Sequence, residues 1–222
     1  LAVMTDYTCI PFWEETDCDY YVIPHEELKE ICIKRGIPEE KLLPFGIPVS
    51  RRFRLKTNQE KARAYLGFPE GKRMHLLMGG SMGAGDLEKL TDKLWEKVRG
   101  KEGIAVICGS NKKIFQKLKK KYGDEKDFFV IGKTKQMELY MKACDIIYTK
   151  PGGLTSTEAA VSRIPIVHTT PIPGCETANR RFFVRNKMSI TSRTPEKQAE
   201  EGTRLLESPA RLKIMREAQK NC

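Results

Sequence analysis

From Asn58 onward, short apolar runs alternate with longer segments of helical pattern, and this alternation constrains the fold more than any other feature. We predict strands over 74–78, 104–108, 128–131, 146–148, 164–167 and 188–190. The predicted helices are 86–98, 113–122, 136–143, 154–163, 176–187, 195–207 and 209–220. The run Thr57-Asn58-Gln59-Glu60 is a capping box that opens a further helix reaching Leu66. Alternating strands and helices predict an α/β fold with a parallel, doubly wound sheet.

The first 48 residues form a separate pattern. We predict a strand at the start, strands near 20–23 and 42–46, and a helix near 25–35. These elements are too few to bury a core alone, so we expect this chain to be a fragment of a polypeptide that extends further at its N-terminus. This region has ten acids against four bases, a net charge of −6, which leaves +17 for the remainder. Such a break in charge predicts two structural units, 1–48 and 49–222.

Composition excludes several classes of protein. The chain is 40% hydrophobic and 31% charged, and it has no apolar run of the roughly 18 residues that a membrane span requires. Its seven cysteines are scattered without a Cys-x-x-Cys pair, which indicates reduced cytosolic thiols and no zinc site. Three isolated histidines form no metal constellation, and we expect His75 and His168 to be packed inside strands.

Glycine follows the predicted strands of the second unit. The loops are Gly79–Gly85, 109–111, 132–134, 150–153 and 169–174. In a doubly wound sheet they all lie at the carboxyl edge, where ligands bind, and each following helix directs free N–H groups outward. One such loop is weak evidence because glycine also ends strands, but five on one edge favour a nucleotide site.

Two familiar nucleotide motifs do not fit these loops. Residues 79–85 lack the Gly-x-x-x-x-Gly-Lys-Ser/Thr pattern of a P-loop. The spacing of the glycines in residues 80–85 also departs from Gly-x-Gly-x-x-Gly. The next predicted strand ends at Cys108, where a dinucleotide site has an acidic residue, so nicotinamide dinucleotide binding is disfavoured. A nucleotide that carries a sugar stays open.

Carboxylates and amides near the helix starts suit sugar hydroxyls. Glu158 lies five residues after Gly153, while Glu176 and Asn179 are one turn apart on one helix. An alternative interpretation fits these residues equally well: polar and acidic side chains in a first helical turn are favoured by the helix dipole.

The stretch "KPGGLTSTEAA…IPIVHTTPIPGCETANRRFF" resembles the donor-binding region of inverting glycosyltransferases with the GT-B fold. It is most similar to the group of processive diacylglycerol glucosyltransferases and monogalactosyldiacylglycerol synthases, and more distantly to the N-acetylglucosaminyltransferase that makes lipid II. Residues 3–49 resemble the end of that group's acceptor domain and its linker. The resemblance covers nearly the whole chain and implies a Rossmann-like donor domain with a fragment of the acceptor domain.

The resemblance also implies residue roles. Gly80 and Ser81 would approach the donor diphosphate, and Thr134 would offer its backbone to the uracil. Residues lining the phosphate and ribose would be Gly152, Gly153 and Thr155, with Glu158 accepting both ribose hydroxyls. Glu176 and Asn179 would bind hexose hydroxyls. The catalytic base of the group lies in the early acceptor domain, so none is expected in this chain.

Two positions depart from the pattern of the group. The chain has Thr5, Asp6, Tyr7 and Trp13 of its Thr-Asp-Phe/Tyr-x-x-His-x-x-Trp motif, but Ile10 replaces the histidine. Cys175 replaces the glutamine that usually precedes Glu176. The first change leaves the acceptor open, and the second leaves the hexose open among glucose, galactose and N-acetylglucosamine.

These features predict a metal-independent, inverting hexosyltransferase that uses a UDP-hexose and a lipid acceptor such as diacylglycerol, without a cofactor. We expect it to be cytoplasmic and peripheral on the inner face of the membrane. The rival interpretation is a non-enzymatic basic module. Its basic clusters, at 51–56 and 112–121, suit an anionic membrane better than nucleic acid, because no nucleic-acid-reading motif accompanies them.

Overall fold

The computed structural model, which describes residues 1–55, 58–79 and 86–222, contains two parallel β-sheets. The first has three two-residue strands in the order β1-β2-β3: β1 Ala2–Val3, β2 Tyr21–Val22 and β3 Leu42–Leu43. The second has six strands: β4 Met74–Met78, β5 Gly103–Ile107, β6 Phe128–Ile131, β7 Ile146–Thr149, β8 Ile166–His168 and β9 Ile190–Thr191. The predicted domain boundary near Pro48 lies between the sheets, and its position stays a prediction.

The larger sheet has the strand order β6-β5-β4-β7-β8-β9, and every neighbouring pair is parallel. Counted from β4 as the first strand, this order is 3-2-1-4-5-6, that of the Rossmann fold. The predicted α/β class and doubly wound sheet are therefore confirmed. The direction of strand order reverses between β4 and β7, and this switch point is where such sheets bind their ligands.

Ten α-helices accompany the sheets in the described part of the chain. Their bounds are α1 Lys29–Lys34, α2 Arg51–Arg54, α3 Gln59–Leu66, α4 Leu87–Val98, α5 Lys112–Tyr122, α6 Met137–Ala143, α7 Gly153–Val161, α8 Cys175–Arg185, α9 Pro195–Leu206 and α10 Pro209–Ala218. The short α2 was not predicted as a helix, because four residues show no periodicity. A short 3₁₀ turn, Glu26–Leu28, precedes α1.

Helices α7 and α8 each end two residues before the predicted end, for the same physical reason. Arg163 and Lys187 adopt left-handed backbone conformations, with φ of 56° and 58°. The next N–H in each case returns to a carbonyl of the last turn, from Ile164 to Ala159 and from Met188 to Phe183. Glycine is the usual residue in that conformation, and because neither position is glycine, no sequence signal marks the end of either helix.

Alternate residues of β4 face two different apolar layers. Met74 and Leu76 belong to one buried cluster and Leu77 to the other. The sheet is therefore covered on both faces, as a parallel sheet requires. The first cluster also contains Met4 of the smaller unit together with Phe182 of α8, so the two units share one apolar core.

Both predicted strand histidines are fully buried, as expected. His75 Nε2 lies 2.5 Å from Glu102 Oε2, and its Nδ1 lies 3.3 Å from the Tyr148 hydroxyl. Within the described ranges, none of the helices is both long and apolar enough to cross a bilayer.

Candidate functional site

The described residues that directly follow strands β4 to β8 lie at the carboxyl edge of the larger sheet. The switch point lies between the carboxyl ends of β4 and β7. A small cleft there is lined by Gly79, Lys150, Thr169 and Thr170 among others. Gly80 and Ser81, predicted to approach a diphosphate, lie outside the described residues, so their role stays a prediction.

Helix α7 begins directly at this crevice. Gly152 is its extended N-cap, and no side chain among the described residues caps the first turn by hydrogen bonding. The first N–H groups of α7 are therefore available to a ligand, together with the positive end of the helix dipole. A Cβ atom added to Gly153 would overlap the carbonyl oxygen of Thr5, so glycine is required there by the approach of the smaller unit.

Glu158 lies in the second turn of α7 and is half-buried. Burial, followed by the negative charge of Glu138, raises the pKa of its carboxyl group. Among the residues that the structure describes, its side chain has neither a hydrogen-bond nor an ion-pair partner. A partly desolvated carboxylate without partners lowers the stability of the fold, and it is well suited to accept hydrogen bonds from hydroxyl groups.

Helix α8 begins at the neighbouring turn, where Gly174 has a φ of 108°. Glu176 is paired on both oxygens: Oε1 lies 3.2 Å from Lys150 Nζ, and Oε2 accepts a 2.7 Å hydrogen bond from the Ile172 N–H. Its partner Lys150 opens the turn before α7. The carboxylate of Glu176 therefore connects the two glycine-bearing turns.

Asn179 is fully buried, although the sequence predicts a contact with sugar. Its Oδ1 accepts a 2.6 Å hydrogen bond from the Tyr7 N–H, and its Nδ2 donates a 2.7 Å hydrogen bond to Asp6 Oδ1. Both ends of the amide are therefore engaged with the smaller unit. Direct sugar binding by Asn179 stays a prediction, and it would require these bonds to be exchanged.

The remaining predicted residues lie around the same edge. Thr155 is half-buried in the first turn of α7. Thr134 follows β6, and its Oγ1 accepts a 3.1 Å hydrogen bond from the Gln136 N–H just before α6. The electrostatic effect of Glu138 on Glu158 indicates that the start of α6 lies near α7. The predicted roles of Thr134, Thr155 and Glu158 in binding one ligand stay predictions.

His168 lies beneath these helix starts and connects them to the sheet. Its Nε2 is 3.0 Å from Ser156 Oγ of α7, and its Nδ1 is 3.0 Å from Ser189 Oγ. Burial, with a smaller effect from Arg180, lowers the pKa of the imidazole to about 3. His168 is therefore a neutral residue that fixes α7 against the sheet, as the prediction of a packed histidine requires.

Tyr7 was not predicted to take part in the site, yet it docks the smaller unit onto both helices. Its hydroxyl lies 2.9 Å from Thr157 Oγ1 of α7, and its ring stacks on Phe182 of α8 at 4.4 Å. Burial raises the pKa of its hydroxyl far above the ordinary value. The sequence signal was present in the Thr5-Asp6-Tyr7 motif, but no pattern showed what this motif touches.

Two protein-family models match different parts of the chain. Residues 1–49 match the model of monogalactosyldiacylglycerol (MGDG) synthase, and residues 81–221 match that of glycosyl transferases group 1. A processive diacylglycerol beta-glucosyltransferase of Staphylococcus saprophyticus is 29% identical over 98% of this chain and 56% of that protein. The chain thus spans about half the length of the curated relatives that it matches.

Solved structures share the fold at low sequence identity. MurG of Acinetobacter baumannii is 17% identical with a TM-score of 0.59, and the match covers 95% of this chain and 71% of that one. The Anabaena protein HepE, crystallised in complex with UDP-glucose, is 14% identical with a TM-score of 0.63, over 91% of this chain and 58% of that one. Since the second family model covers more than half of the chain, this protein belongs to the glycosyl transferases group 1 family.

Proposed function

We propose that the full-length protein transfers a hexose from a UDP-sugar to a lipid hydroxyl, with diacylglycerol as the acceptor and glucose as the hexose. The curated relatives are named as diacylglycerol glucosyltransferases, and they match almost the entire chain. One structural neighbour was crystallised with UDP-glucose. The part described here would bind the donor, while the acceptor would be bound largely by residues outside this chain.

The observation that carries this proposal is the carboxylate of Glu158 in α7, which has no hydrogen-bond or ion-pair partner among the described residues. A ribose presents two adjacent hydroxyl groups, and one carboxylate can accept a hydrogen bond from each. The uncapped start of α7 lies one turn before it and suits the diphosphate. Together they match a nucleoside diphosphate in which the ribose lies beside Glu158 and the phosphates lie at Gly152 and Gly153.

The proposed reaction is a single displacement with inversion, which needs no metal ion. The acceptor oxygen forms a bond to the anomeric carbon while the bond from that carbon to the phosphate oxygen breaks. The hydroxyl proton passes to a base outside this chain, and UDP leaves with the bonding electrons. Backbone N–H groups and the positive end of α7 would stabilise the charge that develops on UDP.

The test is a calorimetric titration of UDP into the full-length protein and its Glu158→Gln variant. The variant should bind UDP more weakly by about 1–3 kcal/mol, the range for a hydrogen bond to a charged group. Glu138→Gln is the matched control, because it removes a nearby negative charge without removing the proposed hydroxyl acceptor. Equal UDP affinity in a folded Glu158→Gln variant would refute the ribose contact.

A lipid acceptor requires the enzyme to bind an anionic membrane surface. The ion pairs of the basic residues indicate which of them are available for such binding. Two lysines of the predicted α5 cluster are paired with α4, Lys117 with Glu88 and Lys121 with Asp92, each at 2.7 Å. By contrast, Arg180, Arg181 and Arg193 lie around one open groove and form no ion pair with any described residue. Unpaired arginines favour anionic lipid more strongly than paired lysines do.

We therefore propose a peripheral location on the cytoplasmic face of the membrane. Co-sedimentation with vesicles should increase with the fraction of anionic lipid and decrease with salt. Vesicle binding without UDP binding would instead favour the rival interpretation of a non-enzymatic basic module.

A further inference from the structure

Residues 5 and 6 of the smaller unit reach the start of α7. They follow β1, and their backbone packs directly on Gly153. A Cβ atom at residue 153 would lie 3.3 Å from Asp6 Cα, besides overlapping the Thr5 carbonyl oxygen. Asp6 thus belongs to the smaller unit but lies next to the candidate donor site.

Asn179 fixes the orientation of the Asp6 carboxylate. The amide is completely buried, and its oxygen is already used by the Tyr7 N–H. Its Nδ2 must therefore point towards Asp6 Oδ1, which it reaches at 2.7 Å. The side chain of Asp6 is therefore hydrogen-bonded to Asn179 of α8, while the backbone of Asp6 packs against Gly153 of α7.

The second carboxylate oxygen of Asp6 has no hydrogen-bond partner in the described part of the chain. Asp6 is only partly buried, and its charge contributes to the raised pKa of Cys175, the first residue of α8, after the larger effect of burial. One oxygen with spare accepting capacity thus lies at the junction of the two helix starts. Glu176 and Asn179, by contrast, have their polar atoms engaged by protein groups.

Charge decides which part of a UDP-hexose this oxygen suits. A carboxylate repels the diphosphate, so it should not contact that part of the ligand. Hexose hydroxyls are uncharged donors, and a carboxylate accepts from them readily. We propose that Asp6 accepts a hydrogen bond from a hydroxyl of the donor hexose, with Asn179 as the positioning residue that aims it. This inference rests on the proposed function, since it assumes a UDP-hexose donor.

Three variants separate the sugar contact from the structural contact. Asp6→Asn keeps an oxygen that can accept from Asn179 but removes the negative charge. The double variant Asp6→Asn with Asn179→Asp exchanges the two side chains. The amide at residue 6 then donates a hydrogen bond to the carboxylate at residue 179. That carboxylate can still accept the hydrogen bond from the Tyr7 N–H. Asn179→Asp alone places two carboxylates together and should lower the melting temperature.

The experiment uses the full-length protein, with UDP and UDP-glucose titrated in parallel and melting temperatures measured for each variant. Asp6→Asn should weaken UDP-glucose binding about tenfold, equivalent to about 1.4 kcal/mol, while UDP binding changes less than about twofold. The exchanged pair should recover the melting temperature lost in Asn179→Asp without recovering UDP-glucose affinity.

The opposite results overturn the inference. If the exchanged pair recovers both stability and UDP-glucose affinity, the contact between residues 6 and 179 is structural only. Unchanged UDP-glucose affinity in Asp6→Asn would also refute the sugar contact. A wild-type protein that binds neither UDP nor UDP-glucose would instead refute the proposed function, so the two failures are distinguishable.

Discussion

Glu158, in the second turn of α7, and Glu176, in the first turn of α8, lie near the starts of two helices at the same edge of the sheet, yet their surroundings differ. Glu176 is paired with Lys150 and with the Ile172 N–H. Glu158 has no such partner in the described ranges, and burial raises the pKa of its carboxyl group. One carboxylate already stabilises the loops around the crevice, while the other is left available for a ligand at some cost to the fold.

This difference shows that two acids near the starts of neighbouring helices can have different surroundings in the folded protein. In the sequence, both follow a glycine-bearing turn, and both were predicted to bind hydroxyl groups. The structure shows that the loop between β7 and α7 supplies Lys150 to one of them and nothing comparable to the other. Substitutions at the two helix starts should therefore have different effects on folding and on binding.

The largest expected effect is at Glu176. Its side chain and that of Lys150 are only 18% and 11% exposed, so Glu176→Ala leaves a nearly buried ammonium group without its partner. Breaking such a pair costs about 3 kcal/mol or more, and we expect that loss in the free energy of unfolding by urea. Glu158→Ala should show no comparable loss.

Glu176→Gln is the control for this prediction. It retains an acceptor for the Ile172 N–H and removes only the charge, so the loss should be smaller than in Glu176→Ala. If both variants were as stable as the wild type, the Lys150 pair would contribute nothing and the contrast between the two carboxylates would disappear.

An intermediate effect is expected at the start of α7, where two adjacent glycines differ in their surroundings. Gly153→Ala brings a methyl group into the Thr5 carbonyl oxygen, whereas a Cβ atom at Gly152 meets nothing within 4 Å. Overpacking of this kind costs about 1–3 kcal/mol. Gly152→Ala, at a φ of −70°, should change stability by less than about 0.5 kcal/mol.

Thermal melts of the two alanine variants check this prediction. If the Gly153→Ala and Gly152→Ala variants had the same melting temperature, the smaller unit could move away from α7 without loss of stability. The close approach of Thr5 would then have no part in holding Asp6 in place.

The smallest expected effect is the pH dependence caused by Glu158. The pKa of this carboxyl is raised in the folded state, so the folded protein binds its proton more tightly than the unfolded chain does. Its contribution to stability is present at low pH and is lost as pH rises from the ordinary value of 4.5 through the raised one. Glu158→Gln should therefore become slightly more stable than the wild type in this range.

Urea unfolding of wild type and Glu158→Gln between pH 4 and pH 8 measures this difference. A constant difference across the range would indicate that the carboxylate has a partner in solution. Saturating UDP should reduce the difference, because the ribose hydroxyls would then solvate the ionised form.

The sequence predicted the fold of the larger unit well, because each element there carries a local signal. Strands β4 and β6 have the predicted bounds, and the other four strands differ from theirs by one or two residues at one or both ends. Apolar runs and helix periodicity depend on neighbouring residues, and parallel pairing follows from their alternation. The carboxyl-edge loops were predictable for the same reason.

The contacts within the candidate site were not predictable in this way. Asn179 meets Asp6 and Tyr7 across 173 and 172 residues of sequence, and Glu176 meets Lys150 across 26. Whether a side chain faces a ligand or a protein group depends on how loops approach in three dimensions, and no periodicity records that. The sequence therefore identified candidate residues at this edge without identifying which were already engaged.

The apolar cluster shared by the two units has a practical consequence for dissecting the protein. Tyr7 packs on Phe182 and Phe183 with ring centroids 4.4 and 5.0 Å away, so these rings lose their cover if the first 48 residues are removed. A truncated protein starting at residue 49 would expose them to water and would be prone to aggregate. We therefore expect both sheets to unfold in a single cooperative transition. Fragments made for expression should keep β1 together with the larger sheet.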